Sequence, residues 1–185
     1  MEVDGEGAQQ GWAPAAAAPE QWRGAVEAAL AGTPAGAAWA HVASFFSAHR
    51  YLPGIDVCER VTGASSEEEE EEDDGGRLLI TPGCVRQVAS SAAGLWAREQ
   101  LLEADHGARR LRYAVVDSNM GFGRYVATLR VLDLDGGEGG CMISWAFECD
   151  AVKAEGWSEA ALVARLGASV KGMAERVQQL AAVAQ

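Results

Sequence analysis

Residues 83–102, GCVRQVASSAAGLWAREQLL, constrain the fold more than any other stretch of the chain. Two alternating segments flank a short turn of small residues. Side chains on a strand alternate with a period of two, so Cys84, Arg86 and Val88 share one side of the first segment. By the same rule Leu95, Ala97, Glu99 and Leu101 share one side of the second. Each set places a single charge among apolar neighbours. A charge turned toward an apolar interior is costly unless it is paired and hydrogen-bonded. The pattern therefore predicts two adjacent antiparallel strands on which Arg86 and Glu99 answer each other.

The rest of the chain supplies the surroundings of such a pair. Residues 21–30, QWRGAVEAAL, alternate as a strand through Trp22, Gly24, Val26, Ala28 and Leu30. Thr33 before Pro34 predicts a helix start with the threonine as N-cap and the proline at the first helical position. That helix turns Trp39, Val42, Phe45 and Phe46 inward and ends at Leu52-Pro53-Gly54. A second strand begins at Ile55. After the opening pair, three more strands group Leu111, Tyr113 and Val115; Tyr125, Ala127, Leu129 and Val131; and Ile143, Trp145, Phe147 and Cys149. Ser158 then caps a helix of about 25 residues carrying Leu162, Leu166, Val170, Met173, Val177 and Leu180 at steps of three and four. Gly167 and Gly172 each cost that helix roughly 1 kcal/mol relative to alanine, which predicts room for a group beneath them. The order describes an α+β domain, an antiparallel sheet with one long helix packed on one face. A sheet that curves around a single helix leaves an internal cavity.

At 185 residues and 49% hydrophobic content, one domain over 21–183 is expected. The formal charge of −12 comes mostly from the run Glu67 to Asp74; without those eight acids it is −4. Such a block reads as a solvated, disordered insertion at about 64–77, and residues 1–20 read as a disordered lead-in without signal-peptide features. No basic patch points to nucleic acid, and no apolar run reaches the roughly 20 residues of a membrane span. The four cysteines form no CxxC pair and the three histidines no ligand spacing, so neither a metal nor a cofactor is expected, and the location predicted is cytoplasmic. The glycine-rich DGGEGG at 135–140 is a turn, since no helix follows it as a phosphate loop requires.

By alternation, the inner face collects Arg86, Glu99, Tyr113, Tyr125 and Trp145 among apolar residues. Mostly apolar walls with a few convergent polar groups describe a small-ligand pocket. Burial favours the neutral acid of a glutamate in such a pair and the arginine favours the carboxylate, so the balance decides between proton donor and acceptor. Arg86 would hold an oxygen-bearing group of the ligand, and the tyrosine hydroxyls would orient it.

The segments QWRGAVEAAL, LPGIDVCERVTG, GCVRQV, LWAREQL and SWAFEC resemble the plant lachrymatory-factor synthases, within the helix-grip superfamily of START domains, birch-pollen-type allergens and abscisic-acid receptors. The resemblance implies a helix-grip fold, a curved seven-stranded antiparallel sheet around a long C-terminal helix with two short helices and an internal cavity. It implies Arg86 and Glu99 as the catalytic pair, with Tyr113, Tyr125 and Trp145 lining the substrate pocket, and no cofactor. The substrate would be a small hydrophobic or sulfur-containing molecule such as an alkenyl sulfenic acid, rearranged by moving a proton. A non-catalytic carrier of a small hydrophobic ligand is the alternative. Two departures bear on the substrate: Leu95 replaces a pocket-lining aromatic, and Gly167, Ala168 and Ser169 stand where the synthases carry a bulky aromatic. The receptor branch is disfavoured, since SSAAGL at 90–95 and SNMGFGRY at 118–125 match neither its SGLPA gate nor its HRL latch.

Overall fold

The computed structural model describes residues 19–61, 80–134 and 140–183. The chain runs β1 (Gln21–Leu30), α1 (Ala35–Val42), a 3₁₀ turn (Phe45–Ser47), α2 (Ala48–Tyr51), β2 (Val57–Arg60), β3 (Val85–Ser90), β4 (Leu95–Asp105), β5 (Arg110–Ser118), β6 (Tyr125–Asp133), β7 (Cys141–Asp150) and α3 (Glu159–Val183). The seven strands form one antiparallel sheet in the order β1-β7-β6-β5-β4-β3-β2. The strand formed first in sequence thus pairs with the one formed last. The expected α+β helix-grip architecture is the one observed. The acidic insertion expected at 64–77 lies outside the described residues, as do residues 1–18 of the lead-in and 135–139 of the glycine-rich turn.

The register arranges the inner face in rows. One row reads Arg60, Arg86, Glu99, Val115, Tyr125, Cys149 and Trp22 across β2, β3, β4, β5, β6, β7 and β1. The next holds Leu101, Tyr113, Ala127, Phe147 and Gly24, and a third holds Ala104, Leu111, Leu129, Trp145 and Val26. The β4–β5 ladder shifts register twice, between Arg98 and Glu99 and between Leu101 and Glu103, skipping Val116 on β5 and Leu102 on β4. Both skipped residues are exposed apolar side chains, which is what an extra residue in a ladder becomes when the alternation must resume beyond it. The two irregularities bracket Glu99 and Leu101 and add local bend where the charge sits.

Local chemistry sets the helix ends, with one difference from expectation. Pro34, extended at φ −61° and ψ 142°, is itself the N-cap of α1, and no side chain caps the helix. Thr33 falls one position too early and is buried. The helical stretch that follows is interrupted at Ala43 and Ser44, so Trp39 and Val42 sit on α1 while Phe45 and Phe46 sit on the 3₁₀ turn; Phe45 is fully buried and Phe46 partly so. At α3 the expected cap is present, with Ser158 Oγ accepting the Ala161 N–H at 3.1 Å. Leu162, Leu166, Val170, Met173 and Val177 form its buried stripe. The helix packs chiefly on β1, β7, α1 and α2. Its backbone thus stands over one end of the sheet, and the inner face of β3 to β6 is left to side chains.

The two α3 glycines differ. A Cβ at Gly172 would stand 2.4 Å from Pro53 Cγ, whereas at Gly167 it would meet only Val26 Cγ1 at 3.8 Å. Only Gly172 makes room for a group beneath it, the rigid ring of Pro53. Gly172→Ala is expected to destabilise by about 1–3 kcal/mol through overpacking. Gly167→Ala is expected to stabilise by up to about 1 kcal/mol through helix propensity. Urea denaturation of the two variants tests the contrast.

Candidate functional site

Arg86 and Glu99 are directly opposed on β3 and β4, and their side chains meet inside the sheet's concave face. Arg86 Nε donates to Glu99 Oε2 at 2.7 Å and Nη2 approaches the same oxygen at 2.7 Å. Both contacts fall on Oε2, so Oε1 stays outside the ion pair. Arg86 Nη1 donates to the carbonyl oxygen of Phe45. The Phe45 ring lies 4.1 Å from the guanidinium carbon, and the Tyr113 ring 5.4 Å from it. Arg86 is 2% exposed, whereas the Glu99 side chain retains 11%. The carboxylate is therefore the half of the pair that faces accessible space.

The Phe45 carbonyl does double duty, because Cys58 Sγ also donates to it at 3.7 Å. One backbone oxygen of the 3₁₀ turn thus ties that turn to both β2 and β3. Tyr51, at the end of α2, is buried with its hydroxyl donating to the Val42 carbonyl at 3.4 Å and beside Arg86. Burial works against the Arg86 charge, but Glu99 foremost, then Tyr51 and Tyr113, outweigh it and hold the guanidinium above its ordinary value.

The chain has three tyrosines, Tyr51, Tyr113 and Tyr125, and all three belong to this cluster. Burial pushes each phenol up; Glu99 and Tyr125 add to the effect at Tyr113, Glu99 and Cys149 add to it at Tyr125, and Arg86 opposes it at Tyr51 and Tyr113. All three remain neutral hydroxyls at physiological pH, able to donate and accept but poor as bases. Burial also raises the Cys58 thiol, with Arg86 opposing, and burial with Asp150 and Glu159 pushes Cys149 up to about 11. Neither thiol is an activated nucleophile.

The other expected residues stand further off. Trp145 shares the inner face but lies two rows along and three strands across from Glu99, about 13 Å and about 14 Å by strand geometry. Its Nε1 is buried with no acceptor among the described residues. A buried donor left unpaired costs about 1–3 kcal/mol, and an acceptor atom of a ligand would remove that cost. Leu95 pairs with Ser90 beside the 91–94 turn and is 36% exposed, so it sits at the rim. At the same end of the sheet, Phe122 of the β5–β6 loop packs 4.9 Å from the Tyr125 ring and 5.3 Å from Trp157 of the β7–α3 loop. Leu95, Phe122 and Trp157 thus ring the end nearest Tyr125.

Sequence alternation missed Tyr51 and the Phe45 carbonyl. The helical segment that carries them has no period-two signal, although a tyrosine directly before Leu52-Pro53-Gly54 marks a helix end abutting a strand. Among the described residues no disulfide joins the cysteines, and no cluster of three His, Cys, Asp or Glu side chains is placed to hold a metal ion. Among the same residues no helix is long and apolar enough to cross a membrane.

Two predictions follow from this geometry. Arg86→Met or Glu99→Leu alone strands a buried charge and is expected to cost about 3–5 kcal/mol, while the double variant is expected to recover most of that loss; denaturant unfolding of all three measures the coupling. Because folding raises the tyrosine pKa values, the stabilising contribution is complete below the unfolded value near ~10 and is lost as pH rises through the folded values. Tyrosinate absorbance should therefore appear together with alkaline unfolding, and a phenol titrating at its ordinary value in the folded protein would contradict the burial described.

Comparison with known proteins supplies a family and a fold. Residues 21–185 match the sequence profile of the family described as polyketide cyclase / dehydrase and lipid transport. Among solved structures, the protein XoxI from Bacillus cereus superimposes with a TM-score of 0.59 at 16% identity, over 86% of this chain and 94% of that one. At that identity the likeness is one of fold.

Proposed function

For a chain that belongs to the polyketide cyclase / dehydrase and lipid transport family, we propose a cavity enzyme that relocates a proton on a small, largely apolar substrate, with Glu99 as the acid/base. The observation that carries this reading is the Glu99 carboxylate, fixed through Oε2 by Arg86 while Oε1 is left to meet a ligand beside neutral phenols. Of the groups around that oxygen, the phenols are held too weakly acidic to exchange protons readily. Glu99 is the proton carrier by elimination.

An alkenyl sulfenic acid suits this arrangement. Glu99 removes the S–O–H proton, the electron pair moves to make the S=O bond and the C=S bond forms as the C=C bond opens. The same proton then goes to the alkene carbon remote from sulfur. The product is a thial S-oxide, all atoms are conserved and no co-reactant is needed. Tyr113 and Tyr125 hydrogen-bond the oxygen, Trp145 lines the far wall and Leu95 the entrance. The protein would work in the cytoplasm on a hydrophobic or sulfur-containing ligand.

The orphaned Trp145 Nε1 equally suits a carrier that binds a hydrophobic molecule with an acceptor atom and releases it unchanged. Incubation with an alkenyl sulfenic acid generated in situ separates the two readings. Turnover that falls by about 10²- to 10⁴-fold in Glu99→Gln and Arg86→Leu supports the enzyme. Equal product from wild type and both variants rules it out, and recovery of unchanged bound ligand favours the carrier.

A further inference from the structure

The Arg86–Glu99 unit is electrically asymmetric toward a ligand. Each of the three Arg86 nitrogens has a partner, Nε and Nη2 at Glu99 Oε2 and Nη1 at the Phe45 carbonyl, with the Tyr51 hydroxyl alongside and the Phe45 ring stacked on the group. At 2% exposure the cation offers a ligand almost no surface. What is left for the accessible side is Glu99 Oε1, an acceptor carrying negative charge, within electrostatic reach of the Tyr113 and Tyr125 phenols that burial keeps neutral.

We infer that the site selects neutral ligands that donate an O–H group and rejects carboxylates, and that Arg86 is a positioning residue behind Glu99, not an anion anchor. An O–H donor completes the unused valence of Oε1 and in turn accepts from a tyrosine hydroxyl. A carboxylate of the same size brings a second negative charge against Oε1 in a poorly screened interior, and the cation that would compensate it is walled off on the far side of Glu99. The inference rests on the proposed site but not on turnover.

Isothermal titration of the full chain with n-octanol and with octanoate at about pH 7.5, where octanoate is ionised, reads the selectivity directly. Octanol is expected to bind at least about tenfold more tightly than octanoate. Glu99→Gln removes the negative end while keeping the buried cation, and is expected to raise octanoate affinity by about tenfold. Arg86→Met leaves a buried carboxylate that takes up a proton, so the preference should shrink toward parity, and Arg86→Lys should restore it. A purely packing role for Arg86 would change stability without moving the ratio. Octanoate binding wild type as tightly as octanol, no octanol binding, or an unchanged ratio in folded Glu99→Gln each overturns the inference. If a variant fails to fold, the wild-type ratio alone decides. A protein with the alcohol preference but no sulfenic acid turnover keeps this inference and loses the isomerase reading.

Discussion

A guanidinium taken out of water loses several kcal/mol of hydration, and the region around Arg86 is arranged to offset that loss. Glu99 supplies the countercharge, the Phe45 carbonyl takes Nη1, and the Phe45 ring covers one side of the group. These partners come from β3, β4 and the 3₁₀ turn, so satisfying one charge fixes the relative positions of three elements. Cys58 extends the tie to β2 through the same carbonyl. The helical segment between β1 and β2 buries Trp39, Val42, Phe45, Tyr51 and Leu52 in the common core, and this polar knot adds a directional tie from its 3₁₀ turn to the sheet. Removing the arginine would therefore loosen more than one ion pair.

Sheet shape and helix placement set the surroundings of the knot. The two skipped residues on β4 and β5 bend the ladder at Glu99, and α3 packs over β1 and β7 rather than over the strands that carry the charges. Gly24 allows this on the β1 side, since a Cβ there would lie 2.8 Å from the Phe147 ring and 2.9 Å from Val163 of α3. Close packing at one end of the sheet and side-chain filling at the other are two consequences of one asymmetric seating of the helix. Arg86, Glu99, Tyr113 and Tyr125 are buried on strands other than the two that α3 chiefly packs against.

Alternation made the face of each strand residue legible, and with it the Arg86–Glu99 opposition and the inward Tyr113, Tyr125 and Trp145. It carries no information on depth. Trp145 shares the face of Glu99 yet lies two rows away, a separation fixed by hairpin lengths and by irregularities that the pattern hides. The doubled apolar pairs Leu101-Leu102 and Val115-Val116 were the trace of those irregularities, since a second apolar residue in a row breaks a period of two. Tyr51 and the Phe45 carbonyl belong to a segment of short helical turns, where neither period holds, and a backbone oxygen has no signature in any sequence. The Thr33 cap failed for a related reason: the extended backbone persists through Pro34, so the helix begins one residue later than the hydroxyl would serve. The helix-grip resemblance supplied the seven-stranded sheet around the long C-terminal helix, while the closure of β1 against β7 is visible only in the structure.

Polarity along the concave face follows from these placements. Leu95, Phe122 and Trp157 give the rim an apolar character, Glu99 with Tyr125 and Tyr113 forms one polar level, and Trp145 offers a lone donor further in. Under the proposed function, a molecule entering past the rim would meet an acceptor first and a donor later. It gains at both only if it carries a donating group at one end and an acceptor at a matching distance, or if two molecules or a water share the span. With Arg86 hidden behind its carboxylate, the other arginine of that row, Arg60, stands two strands from Glu99 with its guanidinium over the Phe46 ring. Stable retention of an anion there would require Glu99 to be protonated or Arg86 to leave its cage, and the second would break the tie that holds the helical segment to the sheet. Replacing that guanidinium would therefore act on the proposed ligand site and on the tie to the helical segment at once.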